Sequence, residues 1–474
     1  MKEKERMSWS ALLDQMRVRE VLGGQKSHTV SGESRTEYER DRDRSVYSSP
    51  IRRLMGKTQV FPLDPNDLVR TRLVHSLEVS TVAEGLAAQV TRDVITKKER
   101  LDDAQQRAIS KIAETCGLLH DIGNPPFGHA GELAIGSWFT EREAGQNQIE
   151  KLGGKTTQAG LDFLLFEGNA QTFRTLTNTR LLAHDHGLNL TCATGAAVRK
   201  YLAASNQADP KSEIHEHTKP GFFRSEAEIV GKICARTSTT GRRHPITYLV
   251  EAADDIVYCV VDIEDGLKKR LLTWPLVLKF LQDRCSSSLV FKEVIEGANR
   301  QMKGVPEESQ LWPSEYPQAF RVNAISAMVR AVVDVFDLRY DNIMLGDYHN
   351  ELVRDEKCAA SSFVAACKDL LRESVFRSQG VLRLEVRGRK VIHDLMDLFW
   401  EGVSSYLKDR KRQTRSYGGK LYLLISENYR HLFEQRLLLK EEDETYCGLQ
   451  LVTDYISGMT DAYACGLHPD LTNG

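Results

Sequence analysis

The sequence has little of what marks a membrane, secreted or disulfide-rich protein. No run of about 18 apolar residues occurs in its 474 residues, so no transmembrane helix is expected. The opening stretch MKEKERMSWSALLDQM lacks the apolar segment of a signal peptide. Nine cysteines occur without a CxxC pair or zinc-finger spacing, which argues against a disulfide framework or a structural zinc site. We therefore expect a cytoplasmic protein whose cysteines are buried small side chains.

Proline is scarce, and the two signs of charge nearly balance. Thirteen prolines in 474 residues favour a helical protein, because proline disrupts helix interiors. With 64 basic and 66 acidic residues the formal charge is −2, so no overall basic field requires nucleic acid as a partner. A hydrophobic share of 41% and a charged share of 27% are typical of globular chains. The length corresponds to one large domain or about three smaller ones.

Phosphate-binding loops are absent as well. No GxxxxGK[ST] motif occurs, and no GxGxxG motif follows a strand pattern. Two glycine-rich polar stretches, residues 144–160 and 205–221, are predicted to be loops between helices. Any nucleotide chemistry must therefore use another kind of site.

Apolar residues recur at helical spacing along most of the chain. Asn66 is predicted to cap a helix from about residue 67 to residue 95, and a second helix is predicted over about residues 104–120. The alternating pattern LRLEVRG, at residues 382–388, predicts a strand. We expect an all-α architecture with few short strands.

The segment CGLLHDIGNPPFGHAGE, residues 116–132, carries the strongest chemical signal. His120 and Asp121 are adjacent at the predicted end of a helix, where both side chains can reach one site. An imidazole nitrogen with a carboxylate oxygen suits a transition ion or magnesium better than calcium. Taken alone, such a pair is more often solvated or caps a helix.

A later helix places acidic side chains among apolar ones. Asp254, Tyr258 and Asp262 are spaced i, i+4 and i+8, so they share one helix face. Buried carboxylates are costly unless a metal or another partner compensates them. A solvated face is the alternative, and His75, in the first helix, is by itself consistent with an ordinary core or surface histidine.

The order His75, His120-Asp121, Asp254 resembles the H…HD…D pattern of the HD-domain phosphohydrolases, which are helical proteins. Further segments narrow the resemblance to the deoxyguanosinetriphosphate triphosphohydrolases: SSPIRRLMGKTQVFPL, TRLVHSLEVS, HDIGNPPFGHAGE, GLNLTCAT, EAADDIVY and DYISGMTDAYA. The resemblance covers roughly residues 35–465, and Asn124 resembles the enterobacterial type.

The resemblance also implies a domain organisation. An HD-domain core is expected over residues 51–270, with a C-terminal helical region over residues 271–474 packing on it. Residues 1–50, with the alternating charges of TEYERDRDRSVYSS, are expected to form a charged and poorly packed N-terminal segment.

The resemblance implies that His75, His120, Asp121 and Asp254 bind a divalent ion, Mg²⁺ or Mn²⁺. We choose Asp254 over Asp255 because the first acid of the AD-[DE]-I pattern is the ligand in the family. The helical face that it shares with Tyr258 and Asp262 agrees, although the choice between adjacent acids stays open.

A catalytic pair and substrate contacts follow from the same resemblance. His129 is expected to act at the α-phosphate, with Glu132 one helical turn later orienting its imidazole. Whether the histidine is base, nucleophile or acid stays open. Substrate contacts are expected from the following residues: Arg72 and Lys219 to phosphates, Gln59 near the sugar, Asp262 to the 3′-hydroxyl and Tyr258 against a 2′-hydroxyl.

The expected activity is hydrolysis of dGTP to deoxyguanosine and inorganic triphosphate. The alternatives are a broader dNTP triphosphohydrolase, another HD-type nucleotide hydrolase, and a nucleotide sensor or single-stranded DNA-binding protein. Relatives assemble as tetramers or hexamers, so a homo-oligomer is expected. The basic stretches at 408–415 and 266–270 suit DNA phosphates but also suit a solvated surface.

Overall fold

A computed structural model describes residues 5–25, 34–61, 69–181, 184–306, 309, 312–412, 414–440 and 442–472. Most of these residues are helical and the described strands are short, which confirms the all-α expectation. None of the described helices is long and apolar enough to cross a membrane. The nine cysteines are all buried and unpaired.

The first half of the chain alternates short and long helices. Its described helices up to the first strand are α1 (Trp9–Leu12), α2 (Val18–Val21), α3 (Glu37–Val46), α4 (Ser49–Leu54), α5 (Arg72–Val90), α6 (Thr96–Lys98), α7 (Asp103–Leu119), α8 (His129–Glu141), α9 (Glu143–Lys151), α10 (Gln158–Leu164), α11 (Gly168–Thr177) and α12 (Cys192–Ala197). The strands β1 (Ala203–Ala204) and β2 (Pro220–Phe222) then pair in parallel, with Ala203 opposite Pro220.

The described regular structure after β2 is helical. Its helices are α13 (Ala227–Thr237), α14 (Pro245–Lys268), α15 (Trp274–Cys285), α16 (Leu289–Gln301), α17 (Trp312–Leu345), α18 (Ser361–Ser374), α19 (Gln379–Asp409), α20 (Tyr417–Leu424), α21 (Glu427–Leu439), α22 (Glu444–Ser457) and α23 (Asp461–Thr472).

The helices form two main hydrophobic cores. The first joins α5, α7 and α14 to α15–α18, with Ile112, Val257 and Phe336 among its buried side chains. The second joins α8, α9 and α10 to the C-terminal helices, with Trp138 and Phe399 buried there. The turn between α7 and α8 therefore connects one core to the other.

The N-terminal segment is better packed than its charges predicted. Trp9 and Leu12 are buried, and so is Asp41 on α3. The Arg17 guanidinium donates a hydrogen bond of 2.9 Å to Asp41 Oδ1, and Thr36 caps α3 in a capping box. The expectation of poor packing is wrong for the described part of this segment, because its charges are paired with one another inside the fold.

Helix α5 begins later than the helix predicted from residue 67. Thr71 Oγ1 accepts a hydrogen bond from the Val74 amide, so α5 starts at Arg72. The proposed cap Asn66 lies outside the described residues. The start at Arg72 places this side chain in the first turn, one turn before His75.

The strand predicted at 382–388 is wrong, because this stretch lies inside α19. Val381, Val391 and Leu395 are buried at helical spacing, whereas Leu382 and Val386 face solvent. The longer helical period therefore overrides the short alternation. The loop predicted at 144–160 is also mostly wrong, since α9 and α10 occupy much of it.

Candidate active site

Close packing of α5 and α7 brings two predicted ligands together. A Cβ at Gly117 would lie 2.8 Å from Ser80 Cα, so glycine lets the two helices approach closely. His75 projects from α5, and His120 is the C-terminal cap of α7. Their rings meet edge to face with centroids 5.5 Å apart.

The predicted ligand side chains converge at this point. His75 Nε2 lies 3.0 Å from Asp254 Oδ1. His120 Nε2 lies 3.6 Å from the same oxygen and 3.5 Å from Asp121 Oδ2. Two donors at right angles, each about 2.1 Å from an ion, are about 3 Å apart. The donor atoms are therefore close enough to share one ion.

The hydrogen bonds around these side chains fit a metal as well. His120 Nδ1 is 2.8 Å from Gly117 O and donates to it, so Nε2 is the ring nitrogen that faces the cluster. That Nε2 is buried and has no hydrogen-bond partner. Asn124 Nδ2 donates to Asp121 Oδ1 over 2.6 Å and orients the carboxylate. His75, His120 and Asp121 offer nitrogen and oxygen donors close enough to hold a divalent ion, and Asp254 Oδ1 lies beside both histidines.

The two adjacent acids on α14 have different partners. Asp254 faces the two histidines, whereas Asp255 Oδ1 accepts a hydrogen bond of 2.6 Å from Lys368 Nζ. Burial acts to raise the pKa of the Asp254 carboxyl, but the neighbouring His120 and His75 outweigh it and hold that pKa far below its usual range. Asp254 is therefore the acid placed at the cluster.

Arg72 borders the cluster, as its place in the first turn of α5 suggested. Its Nη1 donates to Asp121 Oδ2 over 2.5 Å, and its Nε donates to Thr58 O over 3.1 Å. A Cβ at Gly128 would lie 2.6 Å from Arg72 Nη2. Burial acts to raise the pKa of Asp121, but the neighbouring Arg72, His120 and His75 together outweigh it and the pKa is lowered.

His129 and Glu132 form a hydrogen-bonded pair in the first turn of α8. His129 Nδ1 donates to Glu132 Oε2 over 2.9 Å, and Glu132 Oε1 accepts a bond of 2.9 Å from the Gly168 amide. The imidazole is 73% exposed and its carboxylate partner 11% exposed. The bond to Glu132 raises the pKa of His129, and burial raises the pKa of Glu132. The arrangement suits an imidazole that exchanges protons with a bound substrate.

Lys219 lies near this pair but is already paired. Its Nζ is 2.9 Å from Glu167 Oε2, and the side chain is 43% exposed. Its charge lowers the pKa of His129 and of Glu132, though less than their leading causes act. A phosphate that reached Lys219 would compete with Glu167.

The three residues expected at the sugar have separate environments. Gln59 is partly buried, and its Oε1 has no hydrogen-bond partner. The Tyr258 ring stacks on Phe376 with centroids 6.2 Å apart. Asp262 is fully buried, both of its carboxylate oxygens lack partners, and burial raises its pKa well above the usual value. A buried acid without partners is costly to the fold.

Three further residues around the site were not predicted as site residues. Asn124 bonds Asp121, the buried Lys57 donates to Asn124 O over 2.5 Å, and Asp461 accepts from the Phe127 amide over 3.0 Å. Each lies inside a segment that resembles the triphosphohydrolases, so a signal was present. The roles of Lys57 and Asp461 depend on contacts between residues far apart in the sequence.

Histidines and acids on three packed helices, beside a second histidine–carboxylate pair, define an HD-domain hydrolase. The HD domain family model matches residues 72–157, and the phosphohydrolase-associated domain model matches residues 358–470. The first match contains three members of the cluster and the catalytic-pair candidates.

Relatives match along nearly the whole chain. A protein of Listeria innocua named deoxyguanosinetriphosphate triphosphohydrolase-like is 35% identical, over 98% of this chain and 99% of its own. A Klebsiella pneumoniae protein named deoxyguanosinetriphosphate triphosphohydrolase is 31% identical, over 90% of this chain and 92% of its own. The chain belongs to the deoxyguanosinetriphosphate triphosphohydrolase family.

Proposed function

We propose that this protein hydrolyses dGTP to deoxyguanosine and inorganic triphosphate in the cytoplasm. A divalent ion, Mg²⁺ or Mn²⁺, is held by His75, His120, Asp121 and Asp254. The observation that carries the proposal is the partly buried cluster, in which His120 Nε2 lacks a hydrogen-bond partner and lies 3.6 Å from Asp254 Oδ1. The names of the Listeria and Klebsiella relatives support the substrate.

The bound ion neutralises phosphate oxygens and polarises the α-phosphorus. Arg72 adds a positive charge at the same edge, because its guanidinium is fixed between Asp121 and Thr58 O. A guanidinium held in this way recognises phosphate oxygens without losing much side-chain freedom. Lys219 supplies a second cation to the outer phosphates when it leaves Glu167.

His129 moves the proton of the reaction. Glu132 holds Nδ1 and leaves Nε2 free to face the substrate. Cleavage at the α-phosphorus expels the 5′-oxygen, which needs a proton, and consumes a water, which loses one. A histidine with a raised pKa carries a larger share of the protonated form near neutral pH.

Selection of a deoxynucleotide depends on three residues. Asp262 hydrogen-bonds the 3′-hydroxyl, and burial raises the pKa of this carboxyl, which favours the protonated form that can donate as well as accept such a bond. Tyr258 packs against the sugar where a 2′-hydroxyl would lie, and Gln59 contacts the sugar through its unpartnered Oε1. Buried hydrogen-bonding groups discriminate more strongly than apolar contact does.

The test is an analysis of substrates and products. The purified protein is incubated with Mg²⁺ or Mn²⁺ and each of the four dNTPs and GTP, and the products are separated by ion exchange. Deoxyguanosine with intact triphosphate, formed from dGTP in preference to the others, is the expected result. Similar rates with all four dNTPs would replace dGTP by a broader substrate class.

Absence of any product would favour a nucleotide sensor or a single-stranded DNA-binding protein, and binding of labelled dGTP and of oligonucleotides would decide between them. Light scattering of the same sample measures its mass. We propose a tetramer or hexamer.

A further inference from the structure

One buried carboxylate of the C-terminal region contacts both the Arg72 side of the site and the His129 side. Asp461 begins α23 and is 1% exposed. Its Oδ1 accepts from the Phe127 amide over 3.0 Å, and its Oδ2 accepts from the Thr58 amide over 3.1 Å. The Thr58 hydroxyl also donates to Oδ2. We propose that Asp461 is a positioning residue for Arg72 and for the His129–Glu132 pair.

The bond to Phe127 holds the turn that leads into α8. Phe127 has φ 64° and Gly128 has φ 58°, so two successive residues lie in the left-handed region. Residues other than glycine rarely adopt this backbone conformation, so the surrounding contacts must hold it. His129 follows directly, which means that the direction of its side chain depends on this turn.

The bonds to Thr58 hold Arg72. The Thr58 carbonyl accepts from Arg72 Nε over 3.1 Å, and the Lys57 carbonyl accepts from the Arg72 amide over 3.0 Å. The same arginine reaches Asp121 with its Nη1. A shift of residues 57–58 would therefore move the guanidinium relative to the cluster.

Two other contacts tie the same turn to the C-terminal region. The buried Lys57 ammonium donates to Asn124 O over 2.5 Å and to Ser457 O over 2.6 Å. A Cβ at Gly388 would lie 2.6 Å from Phe127 Cγ, so the Phe127 ring packs tightly on α19. Asp461 is the member of this set whose side chain bonds both Thr58, which holds Arg72, and Phe127, which leads into His129.

The proposal rests on the proposed function, because a positioning residue needs a reaction to position. The cluster ligands, in contrast, lie on or at the ends of α5, α7 and α14 in the first core. Loss of Asp461 should therefore disturb Arg72 and His129 while the bound metal stays in place. Loss of activity with unchanged metal content is therefore the result that this proposal predicts.

The first test is Asp461→Asn, which keeps the size of the side chain but turns one acceptor oxygen into a donor that opposes N–H and O–H groups. We expect kcat for the triphosphohydrolase reaction to fall about 10- to 100-fold, since small misplacements of reacting groups cost that much. KM should change by less than kcat. Metal content, measured by mass spectrometry, should be unchanged.

Hydrogen exchange gives a readout that does not need turnover. The peptide covering residues 121–132 should exchange faster in Asp461→Asn, and peptides from α5 and α14 should not. Tyr455→Phe is the matched control, because it removes other hydrogen bonds of the same region, those of Tyr455 Oη with Leu424 O and with Tyr463 Oη. It should leave both kcat and the exchange of 121–132 unchanged.

Thr58→Val is a second variant in case Asp461→Asn does not fold. It removes one of the three donors at nearly constant volume, and we expect a smaller loss of kcat with the same pattern of exchange.

Unchanged kcat and unchanged exchange at 121–132 in either folded variant would overturn the proposal. So would faster exchange spread over all C-terminal helices, because that result indicates a structural role alone. If the unaltered protein turns over no nucleotide, the proposed function fails, and the exchange of 121–132 still decides whether Asp461 holds the turn.

Discussion

The two histidines that face the substrate side of the site are each held at Nδ1. His120 donates to Gly117 O over 2.8 Å, and His129 donates to Glu132 over 2.9 Å. In both rings Nε2 is left for the proposed chemistry, as a metal ligand in the first and as a proton carrier in the second. Both residues are histidines, so the partner at Nδ1 and the neighbouring groups distinguish their proposed roles.

Replacing His129 tests its role as proton carrier. We expect His129→Gln to lower kcat by about 10² to 10⁴, the range of general acid–base contributions. Metal content and melting temperature should stay close to those of the unaltered protein, because the imidazole is 73% exposed. His431→Gln, on α21, is the control for loss of a histidine. A His129→Gln enzyme with full activity would contradict the assignment.

Replacing Glu132 tests the cause of the raised pKa. Because the bond to Glu132 is the leading cause that raises the pKa of His129, Glu132→Gln should lower that pKa. The limb of the pH–rate profile that belongs to His129 should then move to lower pH. A shift of the alkaline limb would identify His129 as the acid, and a shift of the acidic limb would identify it as the base. No shift of either limb would show that Glu132 does not tune it.

At the scale of elements, the turn between α7 and α8 sets the distance between the metal cluster and the catalytic pair. It leaves α7 at His120 and enters α8 at His129, through Pro125, Pro126 and two residues with positive φ. Gly128, with φ 58° and ψ −130°, also makes room for Arg72. The backbone of this turn therefore fixes His120 and His129 relative to each other.

Gly128→Ala should impair this turn in two ways. A side chain in this backbone region costs about 1 to 3 kcal/mol of stability, and the added Cβ would meet Arg72 Nη2 at 2.6 Å. We expect a lower melting temperature and a loss of activity that exceeds the loss of folded protein. Gly231→Ala is the control, since its added Cβ meets nothing within 4 Å in the middle of α13. That variant should be active and as stable or slightly more stable. Full activity of Gly128→Ala would contradict this account of the turn.

Local spacing explains which parts of the site could be predicted from the sequence. His129 and Glu132 are three residues apart, so one helical turn brings them together. Asp254 and Tyr258 share a face of α14 for the same reason. Asp461, in contrast, contacts Phe127 across 334 residues of chain, and no local pattern can pair them. The position of Lys219 beside Glu167 was likewise beyond sequence spacing.

The same distinction explains the fold predictions. Helix α7 carries a sustained apolar period and was predicted nearly to its ends. The start of α19 was mistaken for a strand because Leu382, Leu384 and Val386 alternate. Only the packing of the later residues Val391 and Leu395 in the second core shows the helical period. Charged α3 was underestimated because its partner Arg17 lies on a separate segment.

At the scale of the whole molecule, the cluster of candidate metal ligands and the candidate catalytic pair belong to different cores. The cluster is built by α5, α7 and α14, and the pair by α8, which packs with the C-terminal helices. The partly buried acids Asp121 and Asp254 lie beside imidazole groups at the junction, and Asp121 also lies beside the positive charge of Arg72. A bound ion should therefore stabilise the folded chain as well as the reaction.

Metal removal tests this coupling. Adding Mn²⁺ to chelator-treated protein should raise its melting temperature, by the equivalent of about 2.7 kcal/mol when the free ion is about 100-fold above its Kd. Asp254→Asn should abolish the rise. Asp255→Asn should keep it, although the loss of the pair with Lys368 lowers the starting stability. If Asp255→Asn abolished the rise and Asp254→Asn kept it, Asp255 would be the ligand.

The most direct test of the central claim is hydrolysis of dGTP in water labelled with ¹⁸O. If water attacks the α-phosphorus, the label appears in the released triphosphate, and the deoxyguanosine stays unlabelled. Label in the 5′-hydroxyl of deoxyguanosine would place the attack on carbon. Labelled dGMP with pyrophosphate would show that a different phosphate bond breaks. Either of these two results would contradict the account.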